Sequence, residues 1–329
     1  MPLLCLNVRI LLIVNATASS VTPRKRVVIS KALGADYDLE VAVTARRGHA
    51  ARLARAAALD GMDVVAVLAG DGTLNEAANG LAGSATALAA LPGGSTNVFA
   101  RSIGVARDAV DATGQLLDAL ERHSIRRIGL GDADGRRFLF HAGVGFDAAV
   151  VQEVEHRSTA WALKRYAAHP MFLLAALDTW FRAYDHSRSR FTITISAPEH
   201  LRPLTGPEGE TNTETISGCI MATLSNQNPY TYFGSRPIIT APDASLNRPL
   251  VLTGFGTRRA STFLRLAGSA LNSGRLIRRH RTMTHRSDLH ELEIAGDRPF
   301  PWQADGDFMG EVEKLRIIWK PDDLALVVP

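Results

Sequence analysis

A glycine-flanked aspartate in the first third of the chain has the residue types needed to handle phosphate. The segment Gly70-Asp71-Gly72-Thr73 follows an apolar run and leads into a helical pattern. Glycines let backbone N–H groups approach a phosphate closely, and the N-terminus of the next helix adds partial positive charge. A carboxylate repels phosphate unless a metal ion bridges the two or the carboxylate accepts a proton, so Asp71 predicts magnesium binding or acid–base chemistry. The competing interpretation is an ordinary turn in which Asp71 caps the helix.

A second run of small and polar residues repeats this arrangement further along the chain. Gly93-Gly94-Ser95-Thr96-Asn97 also follows an apolar run and precedes a helical pattern. If the two strands are neighbours, both loops lie at the same edge of a sheet, and their donors converge on one crevice. The alternative is a tight connection with a good helix cap. The first turn does not complete the GxGxxG dinucleotide pattern, because Asn75 stands where the third glycine belongs.

Polar residues also follow two other strand-like runs. The segment Asn15-Ala16-Thr17-Ala18-Ser19 carries three side chains that can donate to phosphate or ribose, and Thr44 stands in the same position after the next run. A plain polar loop is the competing interpretation of the first segment. Arg46 and Arg47, which follow Thr44, can equally be solvated surface charges.

These residues need elements that bring them to one edge, and the first third of the chain supplies a repeating strand–helix pattern. Short apolar runs alternate with alanine-rich helical patterns, which favours a parallel sheet covered by helices on both faces. Ligands of such sheets bind at the carboxyl ends of the strands. The predicted strands are 6–14, 64–68 and 87–91, and the predicted helices are 48–59, 74–81, 97–103 and 107–122.

After about residue 124 the pattern becomes antiparallel. Runs at 125–130 and 137–142 flank a turn-forming cluster, Gly131 to Gly135, and we expect them to pair as a hairpin. Residues 160–184 are predicted to be helical, and 198–213 an exposed loop. Further strands, which together predict a sandwich-like second domain, are expected at 191–196, 216–224, 250–255, 289–294 and 315–319. The apolar segment 324–328 can be a last strand or a buried tail of either domain.

Length and composition indicate a folded two-domain protein. The chain has 329 residues, of which 46% are hydrophobic and 21% charged. Its net charge of +4 is too small to indicate a nucleic-acid partner, and we expect none. Cys5 and Cys219 are too few and too far apart for a disulfide scaffold or a zinc cluster. The sequence shows no secretion signal, and the apolar stretch 171–181 is too short to span a bilayer.

Together, the motifs resemble the diacylglycerol kinase catalytic-domain family, which includes bacterial lipid kinases and sphingosine kinases. The segments that carry the resemblance are Gly70 to Glu76, Leu91 to Asn97 with Phe99-Ala100-Arg101, and Gly143-Val144-Gly145-Phe146-Asp147. They stand in the family's order, and the similarity extends from Asn15 to Asp307. The Gly-Asp-Gly-Thr turn also occurs in the more distantly related NAD kinases.

The resemblance implies an α/β plus β architecture with two domains. The first, residues 1–126, is an NAD kinase-like α/β domain that binds ATP on a mostly parallel sheet. The second, residues 127–319, is an antiparallel β-sandwich that binds the lipid substrate. The tail at about 320–329 can return to the first domain.

The resemblance also implies an activity and the residues that carry it. The chain would be an ATP-dependent lipid kinase that uses Mg²⁺ and transfers the γ-phosphoryl group to a lipid hydroxyl, with diacylglycerol as the leading acceptor and phosphatidic acid as the product. Asp71 is the implied metal ligand, and Asp307 is the implied base, with Asp305 and Asp71 sharing the catalytic roles. The implied nucleotide-binding residues are Asn15, Ala16, Thr17, Ala18, Ser19, Thr44, Gly70, Asp71, Gly72, Thr73, Leu74, Asn75, Glu76 and Ser95.

Several alternatives stay open. Without the family context, Asp305-Gly306-Asp307 is typical of a polar hairpin turn. The acceptor can instead be a sphingoid base or another lipid alcohol, and a soluble NAD kinase-like activity is also compatible. A nucleotide- or lipid-binding regulator that has lost catalysis is the interpretation from a different class.

The chain departs from the family pattern at several positions. Asp307 replaces the usual Glu and is one methylene shorter, and Val98 replaces an Asp. Ala16 and Ser19 replace a Pro and a Gly of the first loop. The segment 243–250 aligns with a family stretch that holds a structural magnesium, but here it contains Asn247 and Arg248. We therefore expect that second metal to be missing from this chain.

A lipid substrate requires contact with a membrane surface. The densest basic cluster can meet anionic headgroups, although a solvated face explains it equally well. The apolar and aromatic residues of the predicted helix 160–184 can contact acyl chains or simply pack in the core. We expect a cytoplasmic protein that binds peripherally to the inner face of the membrane, and a homodimer is compatible with the sequence. The basic cluster consists of Arg275, Arg278, Arg279, His280, Arg281, His285 and Arg286.

Overall fold

The computed structural model describes residues 8–160, 191–196, 213–256 and 260–329. The predicted helix 160–184 and the predicted loop 198–213 lie outside these ranges except for a single end residue each. Within the chain, contacts cluster into two compact units. Unit 1 comprises Met1–Ile128 together with Asp322–Pro329, and unit 2 comprises Gly129–Pro321.

Unit 1 contains a parallel sheet whose inner strands are largely apolar. Strand β1 pairs with β2 on one side and β3 on the other, and β3 pairs with β4, all in parallel. The end of the last strand of the chain, β16 (Asp307–Val327), adds to β4 through Ala325 and Leu326. The strands of unit 1 are β1 (Arg9–Val14), β2 (Asp38–Val43), β3 (Val64–Ala69) and β4 (Ala87–Pro92).

Every residue of β3 and β4 is buried, as expected for strands covered on both faces. Strand β2 is more exposed because it lies at the edge of the sheet. The parallel sheet predicted from the sequence is therefore confirmed, and the apolar segment 324–328 returns to this sheet beside β4.

Five helices connect the strands of unit 1: α1 (Pro23–Asp36), α2 (His49–Leu59), α3 (Asp71–Leu81), α4 (Val98–Ser102) and α5 (Ala109–Glu121). The sequence analysis missed α1, which the Thr22 side chain caps by accepting from the Lys25 N–H. Helices α2 and α3 pack closely, since a Cβ at Gly80 would lie 2.3 Å from the Ala51 carbonyl oxygen. Helix α3 begins at Asp71, three residues before the predicted start.

Unit 2 contains a branched antiparallel sheet. Along its main path the order is β14, β13, β10, β7, β15, β16. Strand β15 is the branch point, because its second half pairs with β7 and its first half with β8, which in turn pairs with β9. Strands β11 (Thr231–Phe233) and β12 (Arg236–Ile238) form a separate two-stranded sheet. The other described strands are β5 (Ile125–Ala133), β6 (Arg136–Phe138), β7 (His141–Gly145), β8 (Phe191–Ser196), β9 (Thr213–Cys219), β10 (Met221–Ser225), β13 (Leu250–Phe255), β14 (Met283–Leu289), β15 (Glu291–Ala304) and β16 (Asp307–Val327).

Among the described residues of unit 2 there are three helices, α6 (Phe146–Ala160), α7 (Ala260–Ala270) and α8 (Arg275–Arg279). The core of the unit joins both branches of the sheet, and the Phe191 and Phe300 rings meet with centroids 5.6 Å apart. The expected antiparallel, strand-rich second region is confirmed. The sequence analysis did not predict α6.

The structure corrects two strand predictions. The predicted strand 137–142 is two strands, β6 and β7, separated at Leu139 and Phe140. The predicted strand 216–224 is also two strands, β9 and β10, because Gly218 has a φ of 82° and the chain changes partner at Ile220. The hairpin between β5 and β6 forms as expected, but its turn is narrower than residues 131–135 and consists of Asp134 and Gly135.

Candidate functional site

In unit 1 the two glycine loops lie against each other. A Cβ at Gly94 would lie 2.8 Å from the Gly70 Cα, so neither loop has room for a side chain at this contact. The contact follows from the register of β3 and β4, which places Leu68 beside Leu91 and ends both strands at one edge. Asn97 holds the second loop, since its side chain accepts from the Gly94 N–H at 2.8 Å and donates to the Gly94 carbonyl at 2.9 Å.

Asp71 connects the first loop to the helix that follows the second. Its two carboxylate oxygens accept from the backbone N–H groups of Val98, at 2.9 Å, and Phe99, at 3.1 Å. Asp71 therefore caps α4, not the helix in which it lies. Burial raises the pKa of Asp71 above its usual range, while these two hydrogen bonds and the charge of Arg101 oppose the rise.

The donor set around Asp71 fits a magnesium ion that is held mainly by a nucleotide. A carboxylate has about four lone-pair sites, and backbone N–H groups, those of Val98, Phe99 and Asp71 itself, occupy only part of them. Mg²⁺ typically takes one or two carboxylates and fills its other positions with phosphate oxygens and water. In the described ranges, no group of three or more His, Cys, Asp or Glu side chains is arranged to hold a metal ion by itself.

The loop after β1 joins the same edge of the sheet. The Asn15 side-chain amide donates to the Thr73 hydroxyl at 3.0 Å, and its oxygen accepts from the Thr17 hydroxyl at 2.8 Å. The Ser20 N–H donates to the Gly93 carbonyl at 2.9 Å. The predicted nucleotide-binding residues 15–19, the first residues of 70–76, and the loop that carries Ser95 are thus brought together. Thr44 lies at the same edge of the sheet, because its N–H donates to the Val14 carbonyl at 2.9 Å.

Other predicted nucleotide-binding residues are engaged in packing. Leu74 and Asn75 are buried in α3, and Asn75 accepts from the Asn79 side chain. The Glu76 carboxylate accepts from the N–H groups of Gly48 and Ala50, at 2.7 and 3.2 Å, and so holds the start of α2. Exposed positions that can reach a ligand are Ala16, Thr17, Ser19 and Ser95.

In unit 2, the Asp305-Gly306-Asp307 segment forms a tight hairpin turn between β15 and β16. Asp305 and Gly306 have φ values of 51° and 82°, and Ala304 pairs with Asp307 across the turn. The buried Asp305 carboxylate accepts from three backbone N–H groups, those of Leu139 at 2.6 Å and of Phe140 and His141 at 3.0 Å each. Asp305 therefore organises the connection between β6 and β7. Asp307 is only partly buried, at the first position of β16.

The sequence analysis missed the residues that surround this turn. Gln303, Tyr230 and the buried Asp147 are connected to it by hydrogen bonds. Asp147 entered the sequence analysis only as part of the family motif. The one local signal was the glycine at 143, which marks a close approach of another group to the strand.

The segment 243–250 does not offer a magnesium site. Asp243 accepts from the His285 ring nitrogen Nε2 at 2.8 Å and pairs with Arg278 at 3.3 Å. Arg248 makes a two-point ion pair with Asp288. Cationic and imidazole groups thus occupy the carboxylates that a metal would need, and the absence of this second metal stays a prediction.

We expect the nucleotide-free protein to have the same thermal midpoint in Mg²⁺ and in EDTA, because these ion pairs take the place of the metal. Asp243→Asn should lower the free energy of unfolding by about 1–2 kcal/mol at pH 7. The hydrogen bond from His285 lowers the pKa of Asp243, so its stabilising effect is present above the unfolded-state pKa and is lost as the pH falls through the folded-state pKa. The difference in the free energy of unfolding between wild type and Asp243→Asn should decrease as the pH is lowered, as measured by calorimetry. A clear loss of stability in EDTA would contradict this account.

The comparisons with known proteins agree with this geometry. Residues 9–132 match the family model of the diacylglycerol kinase catalytic domain. A "Diacylglycerol kinase" of Bacillus subtilis strain 168 is 35% identical over 121 residues, which cover 36% of this chain and 39% of that protein. A "Probable lipid kinase YegS-like" of Pseudomonas aeruginosa PAO1 is 34% identical over 168 residues, which cover 50% of each chain. This chain thus spans about half the length, or less, of these two relatives.

A crystal structure of a diacylglycerol kinase from Bacillus anthracis strain Sterne has the same fold. It superposes with a TM-score of 0.71 over 98% of this chain and 97% of that one, at 19% sequence identity. The crystal structure thus shows the fold, and the matches to the family model and to the two relatives bear out the family resemblance seen in the sequence.

Proposed function

We propose that this chain is an ATP-dependent lipid kinase that transfers the γ-phosphoryl group to a lipid hydroxyl, with diacylglycerol as the leading acceptor. The observation that carries the proposal is the contact between the Gly70 and Gly94 loops at the carboxyl ends of β3 and β4. Such an edge is where open α/β sheets bind their ligands. The match of residues 9–132 to the diacylglycerol kinase catalytic domain supports the same activity.

In this proposal the loops of unit 1 bind the nucleotide. Backbone N–H groups at the start of α3, an 11-residue helix, create a region of partial positive potential suited to phosphate. The exposed hydroxyls of Thr17, Ser19 and Ser95 add donors around it. The resident Mg²⁺ would be held by Asp71 and would neutralise the charge of the phosphates.

Asp307 is the proposed base. The lipid hydroxyl oxygen attacks the γ-phosphorus, the bond from that phosphorus to the β–γ bridging oxygen breaks, and ADP leaves. The hydroxyl proton passes to the Asp307 carboxylate. We assign this role to Asp307 over Asp305 because the Asp305 carboxylate is buried and holds three backbone N–H groups.

The test is to incubate the purified chain with γ-labelled ATP, Mg²⁺ and mixed micelles that contain diacylglycerol. Labelled phosphatidic acid is the expected product. The same assay with sphingoid bases and other lipid alcohols, and with NAD, identifies a different acceptor. Nucleotide binding without turnover on any acceptor would contradict the kinase proposal and indicate a regulator.

We further propose that one face of unit 2 contacts the membrane. In the basic cluster, Arg278, His285 and Arg286 are already paired with Asp243 or Glu214. Arg275, Arg279 and Arg281 are exposed, and the nearby Leu271 and Leu276 are 43% and 49% exposed. Exposed arginines beside exposed leucines suit an anionic lipid surface. No helix among the described residues is long and apolar enough to cross a bilayer.

We expect the triple variant R275E/R279E/R281E to bind phosphatidylglycerol-containing vesicles about 100-fold more weakly or worse, since each arginine near such a surface contributes about 1 kcal/mol. Co-sedimentation with vesicles measures the binding. The control is R24E/R52E/R55E, which changes three exposed arginines of unit 1 and gives the same net charge. An equal loss in both variants would show an effect of net charge alone and would contradict a specific face.

A further inference from the structure

A continuous set of hydrogen bonds in unit 2 runs from Tyr230 to the turn that carries Asp307. The Tyr230 hydroxyl donates to Asp147 Oδ1 at 2.7 Å, and Gln303 Nε2 donates to Asp147 Oδ2 at 2.7 Å. The Gly306 N–H then donates to Gln303 Oε1 at 2.9 Å. We call these four residues the Asp147–Gln303 network. Its last member, Gly306, lies between Asp305 and Asp307 in the chain.

The direction of every bond in the network is fixed by its two ends. An ionised carboxylate only accepts and a backbone N–H only donates, so the Gln303 amide must point its nitrogen at Asp147 and its oxygen at Gly306. Gln303 is fully buried, and Asp147 is 5% exposed. Water therefore does not compete for these groups, and a wrong donor or acceptor at either position leaves a polar group unpaired.

Gly143 makes room for the network. Its place on β7 is beside Gln303 on β15, and a Cβ there would lie 1.7 Å from Asp147 Oδ2. Any other residue at 143 would displace the Asp147 carboxylate. The glycine thus allows a carboxylate from the start of α6 to reach across the strand to the glutamine on the next one.

The groups that face Asp147 are neutral. They are the Tyr230 hydroxyl, the Gln303 amide and, behind the tyrosine, the His141 ring, whose centroid is 4.1 Å from that of Tyr230. Burial lowers the pKa of His141 to about 3, so this histidine carries no charge near pH 7. Burial raises the pKa of Asp147 to about 6, and the two hydrogen bonds oppose that rise. Asp147 is therefore mainly ionised at pH 7, as the network requires.

We propose that Asp147 and Gln303 are positioning residues that hold the Asp305-Gly306-Asp307 turn, and with it the Asp307 carboxylate, in place for phosphoryl transfer. The inference rests on the proposed kinase function. Asp147 acts through Gln303 and not on the substrate, because both of its oxygens are taken by buried donors. Asp305 fixes the same turn independently, through its bonds to residues 139–141.

Exchanging the carboxylate and the amide between the two positions tests the network. Gln303→Glu places two carboxylates face to face, whereas the double variant D147N/Q303E restores every donor–acceptor pair at unchanged net charge. In the double variant, the new amide at position 147 donates to the new carboxylate at position 303, which also accepts from the Gly306 N–H. We expect Q303E to lower kcat by about 10-fold or more, with little change in the KM for ATP. The double variant should recover most of the wild-type kcat. Asp147→Asn alone should have a smaller effect, because the Tyr230 oxygen can accept from the new amide.

The pH profile distinguishes positioning from general destabilisation. In Q303E the two facing carboxylates share one proton below their raised apparent pKa, and the protonated one can then donate to the other. The ratio of the kcat of Q303E to that of wild type should therefore rise as the pH falls from 8 to 6. The matched control is Gln115→Glu, since Gln115 likewise accepts a backbone N–H, from Ala106 at 2.7 Å, but in unit 1. It should keep the wild-type kcat at every pH.

A second measurement does not depend on activity. Labelling with ¹³C-carbonyl Asp and ¹⁵N-Gly gives NMR signals from only the four Asp-Gly steps of the sequence, and Gly306→Asn identifies the one at 306. The Gly306 amide shift should titrate near pH 6 in wild type and lose that titration in D147N. A Gly306 amide shift that is the same in wild type and in D147N across this pH range would overturn the network.

The outcomes separate the two proposals. If wild type phosphorylates lipid but Q303E keeps full kcat, or the double variant fails to recover activity while remaining folded, the positioning role is wrong and the kinase proposal stands. If wild type phosphorylates no lipid at all, the kinase proposal falls and the catalytic role of the network falls with it, whatever the Gly306 titration shows.

Discussion

Asp307→Asn should reduce kcat by about 10²-fold or more while leaving the affinity for ATP near its wild-type value. Asparagine has almost the same size as aspartate but cannot take the proton of the lipid hydroxyl. Asp307 lies in unit 2, whereas the loops proposed to bind the nucleotide lie in unit 1. Initial rates in mixed micelles give kcat, and titration calorimetry with ATP gives the affinity.

Two further variants test whether the effect depends on the carboxylate at position 307. Asp307→Glu keeps the carboxylate and supplies the residue usual in the family, so it should remain active. Glu313→Gln removes an exposed carboxylate from the same strand, β16, and should leave kcat unchanged. An unchanged rate in Asp307→Asn would move the role of base to Asp305 or Asp71.

The second large effect is expected for Asp71→Asn, which should lower kcat/KM by about 10²-fold or more. The asparagine offers one oxygen in place of two, so one of the N–H groups of Val98 and Phe99 loses its acceptor and faces an amide donor. The turn and α4 should separate, at a cost in unfolding free energy of about 1–3 kcal/mol. The same change weakens the proposed magnesium ligand.

Asp108→Asn is the matched control for Asp71→Asn. Asp108 also caps a helix, α5, by accepting from the Val110 N–H at 2.8 Å, and it pairs with Lys25. Its substitution should cost about 1 kcal/mol of stability and leave kcat/KM unchanged. Chemical denaturation and kinase assays on both variants measure the two effects. If both variants lost activity in proportion to stability, Asp71 would have a purely structural role.

The sequence alone was sufficient for the parallel part of the fold. The apolar runs predicted at 64–68 and 87–91 correspond to β3 and β4 with one added residue each, because a strand buried on both faces must be apolar throughout. The neighbouring positions of those strands then brought the two glycine loops together, as expected. For β3 and β4, the apolar pattern in the sequence and the burial in the folded protein agree.

Helices that bury few apolar residues could not be predicted from the sequence. Helix α1 buries only Ile29 and Leu33, and its first turn is basic, so apolar periodicity could not reveal it. The Thr22-Pro23 pair, a typical helix start, was the signal that could have found it. Strands β6 and β7 were predicted as one strand because no residue near Leu139 marks the break between them.

The structural role of Asp305 could not be deduced from its own segment. Its three N–H partners stand 164 to 166 residues earlier in the chain, and they meet it only because β15 lies beside β7. From one sequence, an Asp-Gly-Asp segment is typical of a turn, and only the family context indicates an acidic site. The Asp147–Gln303 network was hidden for the same reason, since its members come from separate segments.

The long strand β16 begins at Asp307 and ends in the sheet of unit 1, where Ala325 lies beside Ala87. On the ribosome, residues 322–329 are made only after all of unit 2 has been translated. The edge of β4 that pairs with Ala325 and Leu326 therefore lacks these partners while the second unit is being synthesised. The sheet of unit 1 is therefore completed only when the end of the chain has been made, and its folding depends on the rest of the chain.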